Sequence, residues 1–324
     1  MERRYLEFEK PLDRIEREIA HLEHLKKTKS EDTRLRITKL TQDLREKTKE
    51  IFSSLSPWQK VQIARHPDRP RALDYVERFC ETFYELHGDR IYGDDPAIIA
   101  GFGRFEGKTI AVIGNQKGRT TEENIARNFG MAHPEGYRKA LRVMEIAEKF
   151  RFPVISFIDT AGAHPHMEAE ERNQALAIAT NLYRMSMIGT PIIAAVIGEG
   201  GSGGALGISV ADRILMLEFS IYSVISPEGC ASILWKDQKA VEEAASALKL
   251  TAEDLVGFGI VDEVIPEPQG AAHRDPAGAV AMLKEAIVKH LAVLEAIPVA
   301  ELLDKRYKKY RAIGAFAVEE PEAE

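Results

Sequence analysis

Apolar residues recur every three or four positions at the start of the chain: Leu12, Ile15, Ile19, Leu22 and Leu25, set among Glu, Arg and Lys. After a polar break near residues 28–33 the spacing resumes with Leu40, Leu44, Ile51 and Leu55. Stripes at that period predict amphipathic helices, here two of them folded back as a hairpin over residues 1–55. The stripes are narrow and need a partner, which is either the chain's own body or another subunit. Ser56-Pro57-Trp58 reads as a helix start, with serine as N-cap and proline at the first helical position. Residues 66–70 (His-Pro-Asp-Arg-Pro) break the pattern. Leu73, Val76, Phe79, Cys80 and Phe83 then predict a helix over 73–86.

Beyond residue 95 the pattern alternates. Residues 98–105 and 109–114 read as strands joined by a turn at Glu106-Gly107. Residues 137–150 read as a helix with Ala140, Leu141, Met144 and Ala147 on one face. A strand over 153–158, a long helix over 168–188, a strand over 191–197, a glycine loop with a short helix, and a strand over 214–217 follow. A last short strand covers 261–265, and residues 277–311 form helices. Strands alternating with helices imply an α/β core with parallel pairing.

Composition changes this picture little. The chain has 324 residues, 44 % of them hydrophobic and 29 % charged, with a formal net charge of −7. That balance argues against wrapping nucleic acid. Cys80 and Cys230 form neither a disulfide framework nor a zinc set, which points to the cytosol. Met1 to Lys10 lacks an apolar signal core, and no apolar run is long enough to span a membrane. Three aspartates in the 87–95 loop lack the spacing of a calcium loop; solvated or Arg-paired carboxylates are the expectation. The basic residues Lys305, Arg306, Lys308, Lys309 and Arg311 read as a solvated helix face, with a patch for an anionic ligand as the alternative.

The candidate chemistry lies in Gly198-Glu-Gly-Gly-Ser-Gly-Gly-Ala-Leu-Gly207. Six glycines in ten residues let the backbone approach a ligand and present unpaired N–H donors. Gly198, Gly200 and Gly203 fit a dinucleotide fingerprint with Glu218 as the ribose acid, but the next strand follows too soon for a crossover helix. A Walker loop fails for want of the Lys-Ser or Lys-Thr pair. Gly200-x-Ser202-x-Gly204 fits a nucleophile elbow, with Asp262 and His273 following in a permitted order. In the third reading no side chain attacks: the amides around Gly203 and Gly204 stabilise a developing anion. Lys117 and Arg119, in a glycine-containing loop after a strand, either meet phosphates of a ligand or pair with Asp94 and Asp95.

Five segments read together narrow these alternatives: residues 115–119 (Asn-Gln-Lys-Gly-Arg), 127–131 (Arg-Asn-Phe-Gly-Met), 134–140 (Pro-Glu-Gly-Tyr-Arg-Lys-Ala), 198–205, and 222–235 (Tyr-Ser-Val-Ile-Ser-Pro-Glu-Gly-Cys-Ala-Ser-Ile-Leu-Trp). With Phe8-Glu-Lys-Pro11, Ala64-Arg-His-Pro67 and Ala272-His-Arg274, the chain resembles the alpha subunits of bacterial acetyl-CoA carboxylase carboxyltransferase over nearly its whole length. The resemblance implies an α/β, crotonase-like fold of ββα units with an N-terminal helical arm (1–55), a carboxyltransferase domain (56–296) and a C-terminal helix and tail (297–324). It implies an α₂β₂ assembly with a beta subunit that holds the acyl-CoA and any zinc. A biotin carboxyl carrier protein would bring the biotin, with biotin carboxylase in the wider complex. The implied reaction passes a carboxyl group from carboxybiotin to acetyl-CoA, giving malonyl-CoA for fatty-acid synthesis in the cytoplasm. The amides of Gly203 and Gly204 would polarise the ureido oxygen of biotin. Gly162, Ala163, Gly200, Gly201, Ser226, Glu228 and Gly229 would line the biotin side, with no metal in this chain. Ser202 and Glu218 become a loop and a strand-end residue.

The chain departs from the family pattern at Ala161, His164, His166, Glu168 and Asn173, where Pro, Tyr, Gly, Gly and Gly are usual. Loss of glycine at 166 and 168 is expected to restrict a loop on the biotin side. His164 and His166 invite a metal, but no third or fourth ligand stands nearby in sequence. A non-catalytic or altered-specificity paralogue that still assembles with a beta subunit is the alternative reading.

Overall fold

A computed structural model describes residues 3–24 and 31–314. Leu25, residues 28–30 of the polar break expected near 28–33, and the tail 315–324 lie outside the described residues. Eight strands form one sheet: β1 (Thr82–Glu85), β2 (Ile98–Phe105), β3 (Lys108–Asn115), β4 (Val154–Thr160), β5 (Ile192–Gly201), β6 (Arg213–Leu217), β7 (Ile221–Ser223) and β8 (Glu263–Ile265). Their order is β1-β2-β3-β4-β5-β6-β8, with β7 paired to the far end of β5. The first three strands are antiparallel and the rest parallel. Glu106 and Gly107, both at positive φ (47° and 74°), make the two-residue turn between β2 and β3 that matches the twist of a hairpin.

Both faces of the sheet are covered, so its strands read as continuous apolar runs. Ile98, Ala111, Ile113, Val154, Ile158, Ala194 and Val196 face the helices Pro134–Phe150 and Gln174–Met187. Their strand neighbours Ile99, Val112, Ile155, Phe157, Ile193 and Ala195 pack against Ala72–Phe79 and Pro276–Glu295. Alternation along each strand thus builds two cores.

The parallel register between β4 and β5 runs from Val154–Ile192 to Ile158–Val196, then shifts, so that Thr160 pairs with Gly200. Past this irregularity Glu199, Gly200 and Gly201 pair with Ile221, Tyr222 and Ser223. The strand therefore delivers the glycine segment away from the main sheet. Helices Lys10–His24 and Glu31–Phe52 pack together as the hairpin the stripes predict. Its base is fixed to the body by Leu12 and Phe52 packing with Ile63, Phe219 and Ala271. Buried Glu9 also meets His273 Nε2 at 3.0 Å.

Three local expectations change. The helix expected over 73–86 stops at Phe79: Cys80 turns extended, Glu81 N–H donates to the Arg104 carbonyl, and Thr82–Glu85 joins the sheet as β1. The helix expected over 168–188 is two, Met167–Glu171 and Gln174–Met187, separated at Asn173 with φ 65°. The basic run near the C-terminus is not a solvated face throughout. Arg306, in helix Val299–Arg311, is fully buried; it pairs with Asp212 at 2.7 Å and donates to the carbonyls of Met185, Ile188 and Thr190.

Candidate functional site

The site grows from the end of β5. Gly201 precedes a single helical turn, Ser202–Leu206, and Ser202 enters it at φ 47°. N–H groups in the first turn of a helix have no partner within it, and this turn contains Gly203 and Gly204. A side chain at 204 has no room: its Cβ would lie 2.2 Å from the Gly162 carbonyl carbon and 2.6 Å from Ala163 N. A Cβ at 201 would lie 2.0 Å from the Ala161 carbonyl oxygen, and one at 200 would lie 2.8 Å from Tyr222. At 203 it would meet Ile178 at 3.5 Å, an ordinary contact, and at Gly162 nothing within 4 Å. Gly200, Gly201 and Gly204 therefore fit the segment against the 161–163 loop and β7, while Gly162 leaves open space beside it and Gly203 stands against the Ile178 side chain.

The 161–164 loop is itself pinned. Thr160 Oγ1 donates to the Gly162 carbonyl at 2.7 Å, and His164 N–H donates to the Ala132 carbonyl at 3.0 Å. Gln174 Nε2 donates to the carbonyls of Ala132 and His164. The family departures fit this backbone. Asn173 stands at positive φ, where asparagine is among the few non-glycine residues tolerated. His166 is an extended N-cap (φ −88°) and Glu168 lies in the first turn of the helix that follows. No glycine is required at 166 or 168. His164 stacks on His133 with ring centroids 4.0 Å apart, and His166 meets His164 at 5.0 Å. Burial, joined at His164 by the neighbouring imidazoles, holds the pKa values of His133 and His164 below the usual histidine value.

A chain of charges crosses the strand ends. Asp159 Oδ1, at the end of β4, accepts from Lys117 Nζ at 2.7 Å and from Glu199 N–H at 3.1 Å. Arg65 donates to Glu199 Oε1 at 2.6 Å and to Glu228 Oε1 at 2.6 Å. For Glu228 burial opposes ionisation, but the hydrogen bonds and charge of Arg65 outweigh it and lower the pKa. Ser226 N-caps the next turn, its Oγ accepting from Gly229 N–H at 3.1 Å. The structure thus brings Gly162, Ala163, Gly200, Gly201, Gly203 and Gly204 into one contact set and ties Glu228 to it through Arg65. Ser226 and Gly229 shape the turn that carries Glu228. Arg119 pairs with Asp74, while Asp94 and Asp95 go elsewhere. Asp94 pairs with Lys139. Asp95, raised to about 6 by burial, accepts from His133 N–H. The pairing of Lys117 and Arg119 with those two aspartates does not occur. Arg65, Asp159 and Glu199 escaped the sequence reading. Their signals were the Ala64-Arg-His-Pro67 segment and carboxylates at two strand ends.

The serine reading finds no relay. His273 is held by Glu9 and stacked on His66 at 4.1 Å, and Asp262 is engaged by Arg213, Lys309 and Ile214 N–H. Glu218 accepts from Glu267 N–H and sits at a strand end. Among the described residues three potential metal ligands converge at Glu9, His66 and His273, remote in sequence from His164 and His166. Arg274 lies 3.4 Å from the same Glu9 oxygen, and His66 Nδ1 already accepts from Asp68 N–H. These partners tie the group together as an arm-to-body clamp, with His273 Nδ1 buried and left without a hydrogen-bond partner. No helix among the described residues is long and apolar enough to cross a membrane.

A family model described as acetyl co-enzyme A carboxylase carboxyltransferase-like matches residues 5–314. A relative in Thermus thermophilus, named acetyl-coenzyme A carboxylase carboxyl transferase subunit alpha, is 50 % identical over 96 % of this chain and 99 % of its own. One of the same name in Xanthomonas axonopodis pv. citri is 52 % identical over 96 % and 98 %. Among solved structures, a Pseudomonas malonate decarboxylase hetero-tetramer with malonate aligns with TM-score 0.57 and 13 % identity over 73 % of this chain and 91 % of that one. Transcarboxylase 12S aligns with TM-score 0.55 and 17 % identity over 79 % and 44 %. The latter two likenesses show a shared, crotonase-like fold.

Proposed function

Because the chain belongs to the alpha subunits of the acetyl-CoA carboxylase carboxyltransferase family, we propose that it works with a beta subunit, as α₂β₂, to move a carboxyl group from carboxybiotin to acetyl-CoA, giving malonyl-CoA. The observation that carries the reading is the cradle that Gly200, Gly201 and Gly204 form against Tyr222 and the backbone of the 161–163 loop, where added Cβ atoms would fall at 2.0–2.8 Å. Open space at Gly162 beside it, with Ile178 lining the Gly203 side, suits a flat ureido group. Bound carboxybiotin supplies the carboxyl group and a ureido oxygen on which negative charge builds as that group leaves. The amides of Gly203 and Gly204 donate to that oxygen, and each preorganised donor contributes about 2.7–4 kcal/mol to such a step by analogy with oxyanion holes. Ala163 and Gly162 form the facing wall. Glu228, fixed by Arg65, and the turn of Ser226 and Gly229 close the far side.

The acyl-CoA and any zinc belong to the beta subunit in this reading. Lys117 and Arg119, which share the wall of a cavity of about 310 Å³, are this chain's contribution to CoA phosphates. The carrier protein and biotin carboxylase complete the assembly in the cytoplasm, and residues 1–55 serve as a subunit-contact arm beside the 56–296 body and 297–324 tail. The test is carboxyl transfer between malonyl-CoA and free biotin, assayed with the chain alone, with beta subunit alone and with both. Activity confined to the mixture supports the reading. Assembly without activity would establish the scaffold alternative instead.

A further inference from the structure

Arg71 stands just ahead of helix Ala72–Phe79 and is 7 % exposed. Its Nη2 donates to the Pro67 carbonyl at 3.2 Å, while the buried Nη1 meets no hydrogen-bond acceptor. The surrounding cations are all neutralised: Arg65 by Glu199 and Glu228, Arg69 by Glu267, Lys117 by Asp159, and Arg119 by Asp74. Among the described residues Arg71 is the one member of this group without a carboxylate partner. Asp74, in the first turn of the helix that Arg71 precedes, is spent: Oδ2 accepts the Arg71 backbone N–H at 2.7 Å and Oδ1 takes Arg119. Burial, together with the charge of Arg119, pushes the Arg71 guanidinium below its usual pKa. Asp159, Asp74 and Glu123 offset this only at longer range, with no carboxylate in ion-pair contact, and a buried cation so placed gains from an anion that joins it.

Arg71 lines a cavity of about 150 Å³ whose wall also includes Arg65, Arg69, Lys117, Asn124 and Asp159. Most of that wall is committed. Arg69 uses Nε on the Ile197 carbonyl, and its two terminal nitrogens on Glu267 and Ser220. Asn124 accepts from Gly118 N–H and donates to the Thr120 carbonyl. Asp159, the acid in the wall, already holds Lys117 and Glu199 N–H on Oδ1. Lys117 has three donors and places one on Asp159, with Glu199 farther off at 3.8 Å. The donors left over on this wall are Lys117 Nζ and those of Arg71, whose Nη1 is buried and unpartnered.

We propose that this cavity binds a small oxyanion, a single phosphate or carboxylate group, with Arg71 as its principal ligand and Lys117 as the second cation. Its volume is enough for one such group. The site is separate from the glycine amides and stands or falls independently of their role. The group is either a free anion or the end of a phosphorylated ligand reaching in from the neighbouring cavity that shares Lys117.

The test titrates the full chain with inorganic phosphate, replacing chloride at constant ionic strength, and follows the Tm and the phosphorus NMR linewidth. Saturable stabilisation is expected, with at least tenfold weaker binding in Arg71→Gln and a smaller loss in Arg71→Lys. Should Arg71→Gln not fold, Lys117→Gln replaces it with the same expectation. Repeating the titration with saturating CoA distinguishes the sources: competition identifies a CoA phosphate, and additive binding a free anion. Absence of saturable binding, or equal binding by wild type and variant, overturns the proposal.

Discussion

Gly203 and Gly204 stand side by side, but the backbone treats them differently, and alanine substitutions expose the difference. At 204 the new Cβ would start 2.2 Å from the Gly162 carbonyl carbon and must reach at least the 3.4 Å of ordinary contact. The atom in the way is backbone, and the loop it belongs to is pinned by Thr160, Ala132 and Gln174. Relief requires parting the glycine turn from the 161–163 loop by more than about 1 Å, a displacement of the kind that costs about 10²-fold in rate. Overpacking of this sort costs about 1–3 kcal/mol, so Gly204→Ala is expected to lower the Tm of the chain by a few degrees. At 203 the Cβ meets only the Ile178 side chain at 3.5 Å, and alanine in a helical turn is favoured over glycine by about 1 kcal/mol. Gly203→Ala keeps its amide and is expected to keep Tm and to hold kcat within a few-fold. The assay is kcat of the mixture with beta subunit, alongside thermal denaturation of each variant. Equal loss in both variants, or full activity in Gly204→Ala, would refute the assignment of close contact to 204. The same geometry makes Gly204→Val an unsuitable probe of oxyanion access, since its side chain would enter the 162–163 backbone before it reached any ligand.

Further expectations follow from other parts of the fold. Arg306→Leu strands the buried Asp212 carboxylate; breaking such a pair costs about 3–5 kcal/mol, and thermal denaturation is expected to show a large fall in Tm. Asn173→Gly is expected to be neutral, whereas Asn173→Val, forced to φ near 65°, loses roughly 1–2 kcal/mol in chemical denaturation. Burial and then the charge of His273 lower His66 to about 4 from its ordinary 6.5. The folded state therefore takes up its proton later than the unfolded state, and stability present above pH 6.5 is lost as pH falls toward about 4. His66→Gln is expected to flatten the fall in Tm across that window, and an unchanged slope would remove His66 as its cause.

The elements legible in the sequence are those whose pattern and punctuation agree. The strands flanking Glu106-Gly107 alternate between two cores and meet at a turn of suitable residues. The helix read over 137–150 has a clear stripe, and in the structure it starts one turn earlier, at Pro134. Where local pattern and tertiary pairing conflict, pairing wins. Phe83 continues the helical spacing of Leu73, Val76 and Phe79, yet the edge of β2 is free to accept Thr82–Glu85 as a strand. The long helix expected over 168–188 breaks because Asn173 takes a left-handed conformation, which its polar side chain permits without requiring it. The glycine segment was legible as a tight backbone turn after a strand, and the flanking motifs supplied its family. Of the charges around it, Lys117 and Glu228 were legible, but Arg65, Asp159 and Glu199 were not, because they meet only across strand ends.

The central claim is that backbone amides, and no side-chain nucleophile, carry this chain's share of the chemistry. Ser202 enters the glycine turn at positive φ and is the residue a nucleophilic mechanism would need. The most direct measurement is kcat for carboxyl transfer by Ser202→Ala reconstituted with beta subunit. Turnover within about tenfold of wild type is the result expected. A loss on the order of 10³-fold or more, the scale at which removal of a nucleophile is felt, would contradict it.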